Sequence, residues 1–244
     1  MRMKIIVING APRMESGNTQ TVLTPFMVGL KDGGADLDVV TLGRLDIRHC
    51  QGCFYCYAQT PGRCAQADDM EELAEGISAA DMMVLATPVY LDGMTALSKI
   101  FLDRLVVFLD PHFIQDETGL IHPLRRKFPE KMFLVSVCGY PGLHNFDPLT
   151  VHMRRVGRNL HSEFVGALLR PAVFSLLLAK KYPDKVRSVM DAMRTAGEEL
   201  ARDGKPHDGT LADAAAEICS QEELMNTANS FWDRELAKYK PEPA

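Results

Sequence analysis

Four of the chain's six cysteines crowd into the sixteen residues from 49 to 64, HCQGCFYCYAQTPGRC. Cys50, Cys53, Cys56 and Cys64 are spaced C-x2-C-x2-C-x7-C. Such spacing lets one loop wrap three corners of an iron–sulfur cube. The fourth ligand requires the chain to return, and Pro61 and Gly62 fit the two central positions of a type II turn that would bring it back. All four ligands of a [4Fe–4S] cluster could then come from one loop. Other chemistries remain open for the same thiols. They could stay free beside another redox group, hold zinc, use one C-x2-C pair as thioredoxins do, or form disulfides. Structural zinc sites usually take two knuckles from separate segments, and disulfides belong to oxidising compartments. Cys138, closing an apolar run, and Cys219, expected in a helix, read as small buried hydrophobes. The histidines show no metal-ligand spacing; His144 falls in a strand-end loop and His49 abuts Cys50.

The whole chain constrains these choices. It has 244 residues, 46% hydrophobic and 24% charged, an ordinary globular composition that suits one large domain or one domain with a substantial extension. Its net charge of −5 carries no long run of either sign, which argues against nucleic acid as a partner. No apolar stretch reaches membrane-spanning length. The opening MRMKIIVINGAPR lacks a signal peptide's apolar region and cleavage site, so a cytoplasmic location is expected. Thiols stay reduced there, which favours metal or redox use of the cysteine run.

Elements that would position these residues alternate along the chain. KIIVIN (4–9) is a short β-branched run, the mark of a strand buried on both faces. The turn GAPRMESGN leads into a helix from about Thr19 to Lys31, ended by Gly33 and Gly34. DLDVVTL is a second strand, followed by the cysteine segment. DDMEELAEGISAA is a helix, with Asp69 and Glu72 spaced as a capping box. DMMVLATPVY is a strand ending at Pro88. TALSKIFLDRLVVFL is an amphipathic helix, and the segment 110–130 is a polar, Pro-punctuated insertion. KMFLVSVCGY is a fourth strand, DPLTVHMRRVGRNLH a helix, and SEFVGALLR a fifth strand. This order implies a doubly wound α/β fold, a five-stranded parallel sheet in order 2-1-3-4-5. After Pro171 the pattern is wholly helical: Lys185 to Arg202, then Gln221 to Lys240 with Ser220 and Glu223 as a second capping box. The tail KPEPA is expected to fray.

Ligands of such sheets bind beyond the C-terminal strand ends. Three loops converge there. Gly10 to Thr19 carries Arg13, Ser16, Asn18 and Thr19 directly into a helix N-terminus, a natural anion site suited to a phosphate monoester. It has neither the Gly-Lys-Ser/Thr of a nucleotide P-loop nor G-x-G-x-x-G. The loop TPVYLDGMTA offers Tyr90, and CGYPGLHN offers Gly139, Gly142 and Tyr140. A planar ring with a phosphate tail would fill such a site.

At this point the residues resemble a known family. NGAPRMESGNT resembles the G-[SA]-P-R-x(3)-[SG]-x-[NT] loop of the NADPH-dependent FMN reductase group of the flavodoxin-like superfamily. ATPVYLDGMTALSKIFLDRL resembles that group's P-x-Y signature, with Lys99 and the Asp103-Arg104 pair at the family spacing. The cysteine run is similar to that of the group's iron–sulfur flavoproteins, C-x2-C-x2-C-x(4–7)-C. The resemblance covers about residues 3–170 and departs from the group in the insertion and in the helices after Pro171. It implies FMN held by Pro12, Arg13, Ser16, Asn18 and Thr19 at the phosphate and by Pro88, Val89 and Tyr90 near the ring, with Gly139 and Tyr140 as the ring's other neighbours. It implies a [4Fe–4S] cluster on Cys50, Cys53, Cys56 and Cys64, and NAD(P)H as a transient co-substrate. The flavin carries the chemistry, so no catalytic side chain is named. The expected organisation is an FMN-binding domain over 1–170, containing the cysteine loop 48–69 and the insertion 110–130. A helical extension over 171–244 packs on the core or on a dimer partner. The expected activity is transfer of electrons from NAD(P)H or a reduced ferredoxin to a small-molecule or protein acceptor. A cluster-free NAD(P)H-dependent reductase of flavin, quinones or nitro compounds is the alternative, and a non-enzymatic carrier the second. A homodimer or homotetramer is expected, since added helices need a surface to cover.

Overall fold

A computed structural model describes residues 2–239; the expected fraying of the tail 240–244 lies outside them. The chain runs β1 (Lys4–Asn9), α1 (Asn18–Asp32), β2 (Asp36–Thr41), α2 (Tyr55–Ala58), α3 (Met70–Ser78), β3 (Met82–Pro88), α4 (Ala96–Arg104), β4 (Ile114–Asp116), β5 (Gly119–Ile121) and β6 (Lys131–Val137). It continues through α5 (Asp147–Asn159), β7 (Glu163–Arg170), α6 (Pro183–Asp203), α7 (Asp208–Ala214) and α8 (Gln221–Lys238). The main sheet has five strands in the order β2-β1-β3-β6-β7, all parallel. This is the expected doubly wound order. The insertion is not featureless: it contributes the small antiparallel hairpin β4–β5, closed around Asp116 and Gly119.

The central strands read as continuous apolar runs because both faces are covered. On one face Ile5, Val7, Val84, Ala86, Phe133 and Val135 pack against α1 and α6. On the other, Ile6, Ile8, Met83, Leu85 and Leu134 pack against α3, α4 and α5. Helices α1 and α6 approach so closely that a Cβ at Gly29 would stand 1.8 Å from the Arg194 carbonyl oxygen, and one at Gly197 would stand 2.1 Å from that of Phe26. Residues 183–203 thus belong to the same core as residues 4–32. Helix α8 differs: Leu224 is its one buried residue, while Met225, Phe231, Trp232, Leu236 and Tyr239 are exposed.

Three local expectations need correction. Asp69 makes no side-chain cap on α3; its carboxylate accepts from the Asp46 N–H, and Asp68 Oδ1 accepts from the Met70 N–H instead. The capping oxygen is displaced by one residue because Asp69 is already helical, and its side chain is used to tie down the preceding loop. The long helix after Thr95 is α-helical only to Arg104 and tightens into a 3₁₀ segment over Leu105–Phe108. Cys219 lies in the turn before α8, outside any helix. Of the second capping box only half forms: Ser220 Oγ accepts from the Glu223 N–H at 3.2 Å, while the Glu223 carboxylate accepts from Lys181 and Tyr182 instead.

Candidate functional site

Parallel register places the C-terminal ends of β1, β3 and β6 on one edge, where Asn9 lies beside Ala86 and Pro88 beside Val137. The three loops leaving that edge are tied together. The Gly10 N–H donates to the Ala86 carbonyl at 2.8 Å, the Val89 N–H to the Val137 carbonyl at 2.9 Å, and Thr95 Oγ1 to the Gly10 carbonyl at 2.6 Å. Thr95 is also the N-cap of α4, accepting from the Ser98 N–H. Gly10 has no room for a side chain, since a Cβ there would meet Ser98 Oγ at 2.0 Å. Thr95 and Ser98 were not singled out from sequence, although a threonine heading the amphipathic run is a cap signal.

The first loop makes a single 3₁₀ turn over Met14–Ser16 before α1 begins at Asn18. Gly17, the N-cap of α1, gives no side-chain cap. Among the described residues, the Asn18 and Thr19 N–H groups have no acceptor, whereas those of Gln20 and Thr21 bond to the Gly17 carbonyl. Two free donors thus stand at the positive end of a helix of 15 residues, where an anion could be held. Pro12, Arg13 and Ser16 are exposed around it, Asn18 is half-buried, and Thr19 is buried. Asn9, buried at the strand end, braces the loop by accepting from the Ala11 N–H and donating to Gln20 Oε1.

The second loop is a tight hairpin in which Tyr90 and Gly93 exchange both backbone hydrogen bonds. Leu91 and Asp92 both have positive φ, +45° and +63°. That is the geometry of a type I′ turn, strained for these residue types. Pro88 and Val89 are half-buried beneath it and Tyr90 is exposed. From the third loop Gly139 and Tyr140 are both exposed, and the Phe174 ring lies against Gly139. Phe174, from the segment after β7, is an addition that no local signal predicted. The edge therefore presents unclaimed N–H groups at the start of α1 and the exposed rings of Tyr90, Tyr140 and Phe174 at the other strand ends.

The cysteine loop packs against the C-terminal end of α4. Cys50, Cys53, Cys56 and Cys64 line one cavity of about 300 Å³ together with Phe54, Gln66, Arg104 and Val107. None forms a disulfide. Among the described residues, no three histidine, cysteine or acidic side chains converge tightly enough for a single metal ion. Yet the thiols are mutually close. Burial pushes the Cys56 thiol up, and the neighbouring Cys64, Cys50 and Cys53 push it further. Four thiols thus border one cavity. The expected return turn is present: Gly62 has φ +78°, and the Arg63 N–H donates to the Thr60 carbonyl at 2.8 Å.

Three arginines hold this loop. Arg104 donates to the Arg48 carbonyl at 2.7 Å and to both oxygens of Asp68 at 2.6 and 2.9 Å. Arg125, from the insertion, donates to the Cys56 and Tyr57 carbonyls and to Asp110. Arg126 donates to the Gly62 carbonyl and Glu71. Burial opposes the charge on Asp68, but the Arg104 guanidinium and the Arg48 and Met70 N–H groups outweigh it and hold the carboxyl below its ordinary value. The insertion thus acts as a clamp on the cysteine loop, a role its polar sequence did not reveal.

Comparison with known proteins follows the same lines. Residues 3–162 match the family described as NADPH-dependent FMN reductase. An Archaeoglobus fulgidus protein named iron-sulfur flavoprotein is 36% identical over 106 residues, 43% of this chain and 47% of that one. The matched region spans about half the length of such curated relatives. Among solved structures, an FMN-dependent NADH-azoreductase from Bacillus anthracis in complex with FMN superposes with TM-score 0.60 at 14% identity, covering 82% of this chain and 99% of that one. An NAD(P)H:quinone oxidoreductase from Methanothermobacter marburgensis superposes with TM-score 0.59 at 18% identity, covering 82% and 98%. At those identities the likeness is one of fold, the flavodoxin-like sheet.

Proposed function

The chain belongs to the NADPH-dependent FMN reductase family, and from that premise we propose that it is an FMN-dependent oxidoreductase with a [4Fe–4S] cluster in its cysteine loop, passing electrons from NAD(P)H or a reduced ferredoxin to an acceptor. The observation that carries the flavin assignment is the unclaimed pair of N–H groups at Asn18 and Thr19, heading α1 where three strand-end loops meet. Those groups, with Arg13, Ser16 and Thr19, would hold the phosphate, while Pro88, Val89, Tyr90, Gly139 and Tyr140 would border the ring. FMN accepts two electrons as hydride and releases them singly, and a cluster accepts one at a time. The residues of this chain bind and orient: Arg13 supplies charge at the cradle, Tyr90 and Tyr140 supply flat surface, and none is needed as acid or base.

Cys50, Cys53, Cys56 and Cys64 would ligate the cluster. The shared cavity and the name of the A. fulgidus relative support that assignment. Six unpaired cysteines suit the reducing cytoplasm. No helix among the described residues is long and apolar enough to cross a membrane. The exposed apolar residues of α8 support a homodimer or homotetramer. In this reading residues 1–170 with α6 and α7 form the flavin-binding body, and α8 is the surface that other copies meet.

Anaerobic reconstitution with FMN, iron and sulfide tests the assignment. The expected product binds one FMN and about four iron atoms per chain and oxidises NADPH when an acceptor is added. FMN uptake without iron selects the cluster-free reductase, and flavin binding without NAD(P)H turnover selects a carrier. Failure to bind FMN overturns the assignment.

A further inference from the structure

Two arginines are fully buried, Arg104 and Arg170, each 1% exposed, and each leaves its Nε–H without an acceptor. A buried donor left unmade is destabilising, so each calls for an explanation. Arg170 donates to the Ala214 and Ala216 carbonyls and to Ser175 Oγ. It faces a cavity of only about 20 Å³, room for about one water molecule. That is a structural strut between β7 and the turn before α8.

Arg104 stands in a different setting. Its two terminal nitrogens are committed to Asp68 and to the Arg48 carbonyl. Since the guanidinium is planar, occupying its terminal side with a carboxylate turns Nε–H away from that carboxylate. Asp68, with no side-chain exposure, fixes the fork in place. Arg104 lines the four-cysteine cavity, and the neighbouring side chain that acts on it besides Asp68 is Cys64. A neutral thiol is a weak acceptor. A metal-bound sulfur carries negative charge and is a far better one.

We propose that Arg104 is a positioning residue for the group held by the cysteine loop: its Nε–H is reserved for the Cys64 sulfur, and through that hydrogen bond it favours the more reduced state of the site. The proposal rests on the cluster reading above. Its physical basis is general: hydrogen bonds to ligand sulfurs and nearby charge set the reduction potential of iron–sulfur centres. Asp68 takes both terminal nitrogens of Arg104 and so fixes the orientation of the guanidinium.

The test compares reconstituted wild type with Arg104→Lys, Arg104→Gln and the double variant Arg104→Gln/Asp68→Asn. The double variant removes both charges together, so no unpaired carboxylate threatens folding. Iron and FMN content are measured first, then redox titration followed by cluster absorbance and electron paramagnetic resonance. The expected result is retention of iron and FMN in the double variant, with the cluster ratio read on its iron-loaded fraction. Its reduced-to-oxidised cluster ratio should fall about tenfold at fixed ambient potential, equivalent to a 59 mV drop for a one-electron couple. Arg104→Lys should keep its charge yet recover only part of the shift, because an ammonium lacks the fixed fork. An unchanged ratio in iron-loaded variants overturns the role of Arg104 while leaving the cluster in place. A wild-type protein that takes up FMN and no iron overturns the cluster reading, and the proposal with it.

Discussion

Replacing Gly10 with alanine should damage stability and flavin binding together, through one atom pair. The added Cβ would lie 2.0 Å from Ser98 Oγ and 3.2 Å from Ser98 Cβ. Favourable contact between heavy atoms begins at about 3.5 Å, so the hydroxyl must move by more than an ångström or the loop must lift. Neither is easy. Ser98 is fully buried in the first turn of α4, its Oγ lies 3.0 Å from Thr95 Oγ1, and Thr95 in turn holds the Gly10 carbonyl. Overpacking of this kind costs about 1–3 kcal/mol. Ser98→Ala alone forfeits one hydrogen bond, about 1 kcal/mol, and opens the space the new methyl needs. The double variant Gly10→Ala/Ser98→Ala should therefore lose at least about 1 kcal/mol less than the sum of the single losses. Urea unfolding of the four proteins, read at constant slope, measures the cycle. Flavin titration should show Gly10→Ala binding FMN about tenfold more weakly, equivalent to about 1.4 kcal/mol, with most of the loss recovered in the double variant. Additivity within about 0.5 kcal/mol would refute the claim that Ser98 and Gly10 share one packed contact.

Three further expectations are cheaper to check. Arg13→Ala should lower the preference for FMN over riboflavin about tenfold, because a charge-assisted contact contributes about 1.5–3 kcal/mol when fully formed and Arg13 is exposed; fluorescence titration with both ligands reads the ratio. Asp68→Asn should cost about 3–5 kcal/mol at neutral pH by leaving Arg104 buried without its partner. The folded carboxyl titrates below its ordinary value, so the stabilisation is complete above pH 3.8 and drains as pH falls below it. Urea midpoints of wild type and variant should accordingly converge on acidification. Deleting residues 225–244 removes no residue buried in the described structure, since Leu224 is the only buried position of α8, so the monomer's thermal midpoint should hold while sedimentation shows loss of self-association.

The local signals in the chain were strong where they concerned repeated chemistry. β-branched runs closed by Pro88 or followed by Gly10 announced buried parallel strands, and their alternation with helices left one sensible sheet order. The turn between β1 and α1 was legible because glycines and short polar residues mark the entry to a helix. The Pro61-Gly62 turn was legible because positive φ at its second position demands glycine. Capping was less secure. Asp68 and Asp69 are equivalent by type, and which one reaches the helix depends on where residue 46 lies, sixty ångströms of chain or more away along the extended backbone.

What sequence alone determined is the sheet, its order, the edge on which three loops converge, and the identity of four thiols that border one cavity. Tertiary structure decided what surrounds them. It put Arg104, Arg125 and Arg126, from two separate segments, onto carbonyls of one loop. It drew α6 into the core through backbone contact at Gly29 and Gly197 while leaving α8 outside. It set Phe174 against Gly139 across a gap of 35 residues. The reason is that periodicity and turn chemistry are properties of neighbouring residues, encoded within a few positions of one another. The partner of a buried charge, or the ring that covers a glycine, is fixed by where the folded chain returns, and no local pattern carries that information.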